Sequence, residues 1–114
     1  MTPLHYSLCD QTVTVYGIRD GEILRRVVEN CYLAAESGLA ETTFGKSRLK
    51  KFLLIIPEDL DLQPGDRVFR GIGPEAVDWQ TFVPAFTDEL YEVGRVKKQF
   101  WENEVTHVEG RQAQ

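Results

Sequence analysis

The sequence predicts a mainly β protein: a small single-domain antiparallel β-barrel or sandwich, with a long loop between strands 2 and 3 and one short helix. Three observations lead there. Short apolar runs recur along the chain, some with period-two alternation. Gly and Pro punctuate them, and sustained helical periodicity is nearly absent. At 114 residues the chain has the usual size of one domain, so a single unit over 1–114 is expected.

Taken in order, positions 1–10 read as an N-terminal arm. They carry neither a basic n-region nor an apolar h-region, so no secretory leader is expected. Gln11–Tyr16 alternates, with Val13 and Val15 on one face and Thr12, Thr14 and Tyr16 on the other, a strand signal rich in β-branched residues. Gly17 and then Asp20-Gly21 follow, and Asp-Gly between apolar runs marks a hairpin. Glu22–Ala35 admits two readings. Ile23, Leu24, Val27, Val28, Cys31 and Ala35 share a helical face, with Asp20 as a cap and Gly38 as a stop. As a strand, the same segment returns beside Gln11–Tyr16 through the Asp-Gly turn. The strand is adopted, a choice to which the resemblance described below adds weight.

Glu36–Lys50 has no sustained period and reads as a connection of about 15 residues, a length often functional in small domains. Lys51–Ile56 is a continuous apolar strand stopped by Pro57. Pro64-Gly65-Asp66 forms a turn, because Pro presets φ and Gly supplies positive φ. Arg67–Ile72 is the next strand, broken by Gly73-Pro74. Asp78–Val83 reads as one short helical turn capped by Asp78 and halted by Pro84. Leu90–Lys98 and Val105–Glu109 are the last strands, and 111–114 is a frayed tail.

Composition excludes several classes. The longest apolar stretch, Phe52–Pro57, is far below the roughly 20 residues of a bilayer-spanning helix, and no membrane partner is expected. Lys+Arg 13 against Asp+Glu 18 gives a net charge of −5, which argues against a dedicated duplex-DNA or anionic-membrane binder. The charge is nevertheless uneven: Lys46, Arg48, Lys50 and Lys51 fall within six positions. They serve either as gatekeepers beside the apolar strand or as a positive loop offered to an anion such as nucleic-acid phosphate. The two cysteines, Cys9 and Cys31, are expected to be reduced thiols in a protein made inside the cell.

No catalytic constellation emerges, so no enzyme and no cofactor are expected. His5, Cys9, Cys31 and His107 are the only soft metal ligands, but their spacing matches no zinc motif, so no metal is expected. Asp59-Leu60-Asp61 with Asp66 begins like a calcium loop and lacks its closing glutamate. Gly71-Ile72-Gly73-Pro74 lacks the third glycine of a dinucleotide fingerprint, and no serine lies in a nucleophile elbow. Asp88-Glu89 reads as solvated turn charge. Trp79, Phe82, Phe86, Tyr91, Phe100 and Trp101 are mostly expected in a core. Phe100 and Trp101, near a hairpin end, are the candidates for a protein contact.

Several runs together resemble a known group. These are Val13-Thr14-Val15-Tyr16, then Arg25-Arg26-Val27-Val28-Glu29-Asn30-Cys31-Tyr32-Leu33, Phe52-Leu53-Leu54-Ile55-Ile56-Pro57, Gly65-Asp66-Arg67-Val68 with Gly71, and His107-Val108-Glu109-Gly110. Across about residues 11–110 the pattern resembles small minor structural proteins of tailed phages and prophages of Gram-positive bacteria, akin to head-closure (stopper) proteins. The resemblance implies a β-barrel subunit of a homo-oligomeric, twelve-fold ring in the virion neck, assembled in the host bacterial cytoplasm. Its partners would be portal or adaptor and tail proteins. It also implies that the loop after the second strand reaches into the channel, which would bring Lys46, Arg48, Lys50 and Lys51 near packaged DNA. The rival readings are a tail-terminator or tail-completion protein, favoured by a helix at Glu22–Ala35, and a β-barrel binding module, favoured by a deep apolar pocket.

Overall fold

A computed structural model describes residues 9–35, 41–42, 45–46, 51–83 and 89–112. Among the described residues nine strands occur: β1 Gln11–Arg19, β2 Glu22–Ala35, β3 Glu41–Thr42, β4 Gly45–Lys46, β5 Phe52–Ile56, β6 Arg67–Arg70, β7 Leu90–Glu92, β8 Arg95–Trp101 and β9 Glu104–Arg111. Seven of them form one curled antiparallel sheet in the order β7-β6-β1-β2-β5-β9-β8. The two edge strands, β7 and β8, are consecutive parts of one run interrupted only at Val93-Gly94. Val93 exchanges backbone hydrogen bonds with Gly65 and Asp66, and Gly94 donates to Arg111 O, so the kink ties both ends of the sheet together. The result is a barrel-like sheet, as expected.

β2 bends in the middle. Gln11 faces Cys31 while Val13 faces Val28, so Thr12 opposes two residues, and Asn30 takes a left-handed φ of 59°. This bulge turns the strand from its pairing with β1 to its pairing with β5 at Tyr32–Ala35. It also explains the helical look of the segment. Val28 and Cys31 both join the core, three residues apart, because the bulge between them swaps the faces. Both hairpin tips have the expected chemistry: Asp20 and Gly21, like Glu102 and Asn103, pair two positive φ values, which suits the twist of antiparallel strands.

The core lies inside the curl and joins Val13, Val15, Val28, Cys31, Leu33, Phe52, Leu54, Ile56, Leu62, Val68, Tyr91, Val93 and Val108. β1 is buried on both faces, because the Gly71–Val83 segment covers its outer side. Thr14 Oγ1 donates to Gly71 O at 2.8 Å and accepts from Gly73 N–H at 2.9 Å, while Tyr16 OH donates to Pro74 O at 2.7 Å. Tyr16 meets Phe82 edge-on at 4.7 Å, and Arg67 stacks on Trp79 while donating to the carbonyls of Trp79 and Phe82. Trp79 and Phe82 thus build a second apolar layer outside the main core.

Three expectations change in detail. At Asp78–Val83 the N–H groups of Thr81 and Phe82 both donate to Asp78 O, a single turn that goes no further. The described residues therefore contain no helix; one turn before a proline is too short to propagate. The tail begins later than position 111, since Arg111 pairs with Leu53 and Arg95, and Gln112 Oε1 accepts from Phe52 N–H at 3.0 Å. The span expected as one strand from Leu90 to Lys98 is split by the kink. Positions 1–8 of the arm, most of the 36–50 connection and residues 113–114 lie outside the described residues. Within that connection Glu41 pairs with Lys46 and Thr42 with Gly45, a minimal hairpin.

Candidate functional site

The basic cluster is only partly located. Lys46 ends β4, and Lys51 is exposed immediately before β5. Arg48 and Lys50 lie outside the described residues. The two aromatic candidates are clear: Phe100 and Trp101 end β8 and remain 62% and 47% exposed. Beside them Thr106 is an extra residue in β9, and its hydroxyl donates to Gln99 O at 3.2 Å. β8 itself stays regular, so Lys97, Gln99 and Trp101 alternate onto the outer face, with Glu104 opposite Trp101.

A second exposed apolar group lies on the β1–β2 hairpin, and it was not singled out from sequence. Ile18 pairs with Ile23, and Thr14 with Val27, on the outer face; Leu24 lies on the other face opposite Gly17. All four aliphatic side chains, Ile18, Ile23, Leu24 and Val27, are substantially exposed. Between them Arg25 donates to Gly73 O at 2.8 Å and to Pro74 O at 3.1 Å. The helix-like periodicity of this segment counted Ile23, Leu24 and Val27 toward a buried face, which hid their exposure.

β2 is antiparallel to β5 and β5 to β9, so β2 and β9 run the same way. Each of the two turns precedes one of those strands. In the curled order β1 and β2 are separated from β9 and β8 by β5.

Two ionic clusters brace this architecture. Asp66, almost wholly buried, receives Arg19 Nη1 and Nη2 on its two oxygens at 3.0 Å each, and Oδ2 also accepts Gln63 N–H at 3.0 Å. Arg19 further reaches Asp61, and its guanidinium is held above its ordinary pKa chiefly by the hydrogen bond to Asp66. Arg26 stands 3.7 Å from Asp66 with Nε and Nη2 buried and lacking hydrogen bonds; burial lowers its pKa. On the outer face of β9, His107 Nε2 lies 2.9 Å from Glu109 Oε2, and Gln99 Nε2 donates to the same oxygen at 3.4 Å. The hydrogen bond from His107, with help from Arg111 and Lys97, lowers the Glu109 pKa.

Beside that pair, Arg95, Val96, Lys97, Glu109 and Arg111 line an open, shallow concavity of about 440 Å³. Four of its five lining residues carry charged groups. Cys9 and Cys31 are free thiols; Cys31 lies in the core, its S–H donates to Gln11 O at 3.3 Å, and burial pushes its pKa up to about 11. Cys31 is inside the curl and His107 outside it, while His5 lies outside the described residues. Among the described residues no three His, Cys, Asp or Glu side chains gather as metal ligands, and no helix is long and apolar enough to cross a membrane. The Asp59–Asp61 stretch binds cationic side chains instead, Lys98 on Asp59 and Arg19 on Asp61. The chain matches no family model, no curated protein and no solved structure.

Proposed function

We propose that the protein is a non-enzymatic virion subunit of a tailed phage, which forms a stopper ring in the neck between portal or adaptor and tail. The observation that carries this reading is the placement of the 36–50 connection. It joins β2 to β5, two paired strands of a barrel-like sheet, the interval where the resemblance implies a channel loop. Lys46 and Lys51 flank the end of that connection, and with Arg48 and Lys50 they give it a local positive charge suited to nonspecific contact with DNA phosphate in an otherwise acidic chain. Exposed aliphatic and aromatic side chains on two projecting hairpins suit a subunit that gains much of its burial from neighbours. The strand conformation of Glu22–Ala35 weighs against the tail-terminator alternative, and an open concavity with four charged residues among its five lining residues is not the deep apolar pocket that a ligand-binding barrel would favour.

Electron microscopy of the purified protein, alone and with phage particles, tests the reading. Rings at the tail-attachment vertex are expected. In a producing phage, deletion of Gly38–Lys46 should leave a folded subunit and yield capsids that lose their DNA. Particles without such a ring, or deletion capsids that keep their genome, would overturn it.

A further inference from the structure

We propose that the outer face of the β8–β9 ladder, at the end next to the Val93-Gly94 kink, binds a phosphate dianion between Arg95, Lys97 and Arg111. These three cations and one carboxylate, Glu109, line the open concavity of about 440 Å³. Arg95 is directly opposite Arg111 in the register, and Lys97 is opposite Glu109 one step along the same face. Directly opposed residues start about 5 Å apart at Cβ, where like charges repel. In a chain of net charge −5, this spot therefore carries a surplus of two positive charges, three cations less one carboxylate. A dianion seated there cancels the surplus and turns the repulsion between two guanidiniums into a shared attraction.

Glu109 does not fill this role itself. Its Oε2 lies 2.9 Å from His107 Nε2 and accepts from Gln99 at 3.4 Å, and only Oε1 turns to Arg111, at 3.6 Å from Nη2. Arg95 and Lys97 make no ion pair among the described residues; Arg95 Nε donates to Gln112 O at 3.4 Å instead. That contact and the one between Arg111 and Glu109 hold the two guanidiniums at the rim, so less side-chain freedom is lost on binding. Both Nη groups of Arg95 and Nη1 of Arg111 are left to donate. His107 is buried, which confines the site to the three exposed cations. Donors from three positions suit a tetrahedral oxyanion, whose oxygens face several ways, better than a planar carboxylate. Guanidinium forks bind phosphate in bidentate pairs, and a free or terminal phosphate is close to doubly charged at pH 7. A phosphodiester carries one charge per group, so a nucleic-acid backbone matches the surplus less well.

Titration of the full chain with inorganic phosphate, at ionic strength held constant with sodium chloride, tests the site through proton–nitrogen correlation spectra of the arginine side chains. The Nε–H signals of Arg95 and Arg111 should shift saturably, while that of Arg19, committed to the Asp66 bridge, stays in place. Arg95→Gln and Arg111→Gln should each weaken binding about tenfold or more, the loss of one charge-assisted hydrogen bond. Lys98→Gln removes the same charge from the opposite face of β8, where Lys98 pairs with Asp59, and should leave binding within about twofold. Thermal melts show that each variant is folded. Methyl phosphate separates the two sources of the ligand: retained affinity assigns an ester-borne phosphate, and its loss assigns free phosphate. Dimethyl phosphate, with a single charge, should bind about tenfold more weakly than inorganic phosphate. Absence of a saturable shift at Arg95 and Arg111, binding that Arg95→Gln and Arg111→Gln leave unchanged, or dimethyl phosphate bound as well as phosphate would each overturn the proposal. The ring reading is independent of all three results and stands or falls on the vertex images.

Discussion

Replacing Asp66 with Asn tests the buried ionic bridge between β1 and the turn before β6. Asp66 is 2% exposed and accepts two hydrogen bonds from Arg19 at 3.0 Å and one from Gln63 N–H at 3.0 Å. Asparagine keeps the shape but offers one acceptor, and its amide opposes a guanidinium donor. Two charge-assisted bonds, each worth about 1.5–3 kcal/mol, become at most one neutral-acceptor bond. Arg26 simultaneously loses the carboxylate 3.7 Å away. Part of the loss is recovered, because Arg19 is 20% exposed at its side chain and also reaches Asp61. The net cost is about 3 kcal/mol, at the lower edge of what breaking a buried ion pair costs. At roughly 4 °C per kcal/mol for a domain of this size, Tm should fall about 12 °C. Thermal and urea unfolding followed by circular dichroism give the number. A loss below about 1 kcal/mol would refute the bridge as a determinant of stability. Arg26→Met supplies the contrast: it removes a buried cation with unsatisfied nitrogens, so a change within about 1 kcal/mol, or a gain, is expected.

The Glu109 pKa is depressed in the folded state below its ordinary 4.5, so its contribution to stability is present above that value and is lost as pH falls through the folded pKa. Melts of Glu109→Gln and the parent between pH 7 and about pH 3 should therefore converge toward the acid end; curves that stay parallel would contradict the assignment. Cys31, with its pKa raised to about 11 and its side chain in the core, should resist iodoacetamide at pH 8 in the folded protein and react after unfolding. Peptide mass spectrometry reads this, and labelling of Cys31 at the rate of the unfolded chain would contradict it. At Gly17 an added Cβ would lie 2.4 Å from Asp66 Oδ1, so Gly17→Ala should displace the same bridge and lower Tm. Combined with Asp66→Asn, it should cost less than the sum of the two single changes.

The fold class was legible because strands and turns announce themselves locally. Val13 and Val15 alternate, Asp20-Gly21 adopts the two positive φ values that a tight hairpin needs, and Pro57 and Pro64-Gly65 stop and turn the chain. What sequence left open at Glu22–Ala35 was a bulge, because an inserted residue converts a two-residue period into a three-residue step that resembles a helix. The kink at Val93-Gly94 was hidden for a different reason: it is fixed by backbone bonds to Gly65, Asp66 and Arg111, none of them sequence neighbours. The candidate contact was half legible. Phe100 and Trp101 stood out as aromatics near a hairpin end, whereas the exposure of Ile18, Ile23 and Val27 depends on where the Gly71–Val83 segment stops covering the sheet. Nor does any local signal tie Asp66 to Arg19, whose side chains meet across 47 positions.

The sharing of one run of chain between both ends of the sheet also governs when the molecule can form. β1 and β2 pair through a tight turn as soon as both are made, but β5 has its second neighbour only when Val108–Arg111 exist. Without them Leu54 and Ile56 border an unfilled slot, and the β8–β9 hairpin is what closes the curl. With β9 absent, β5 keeps only β2 beside it and presents an open edge, so closure of the curl waits on long-range pairing.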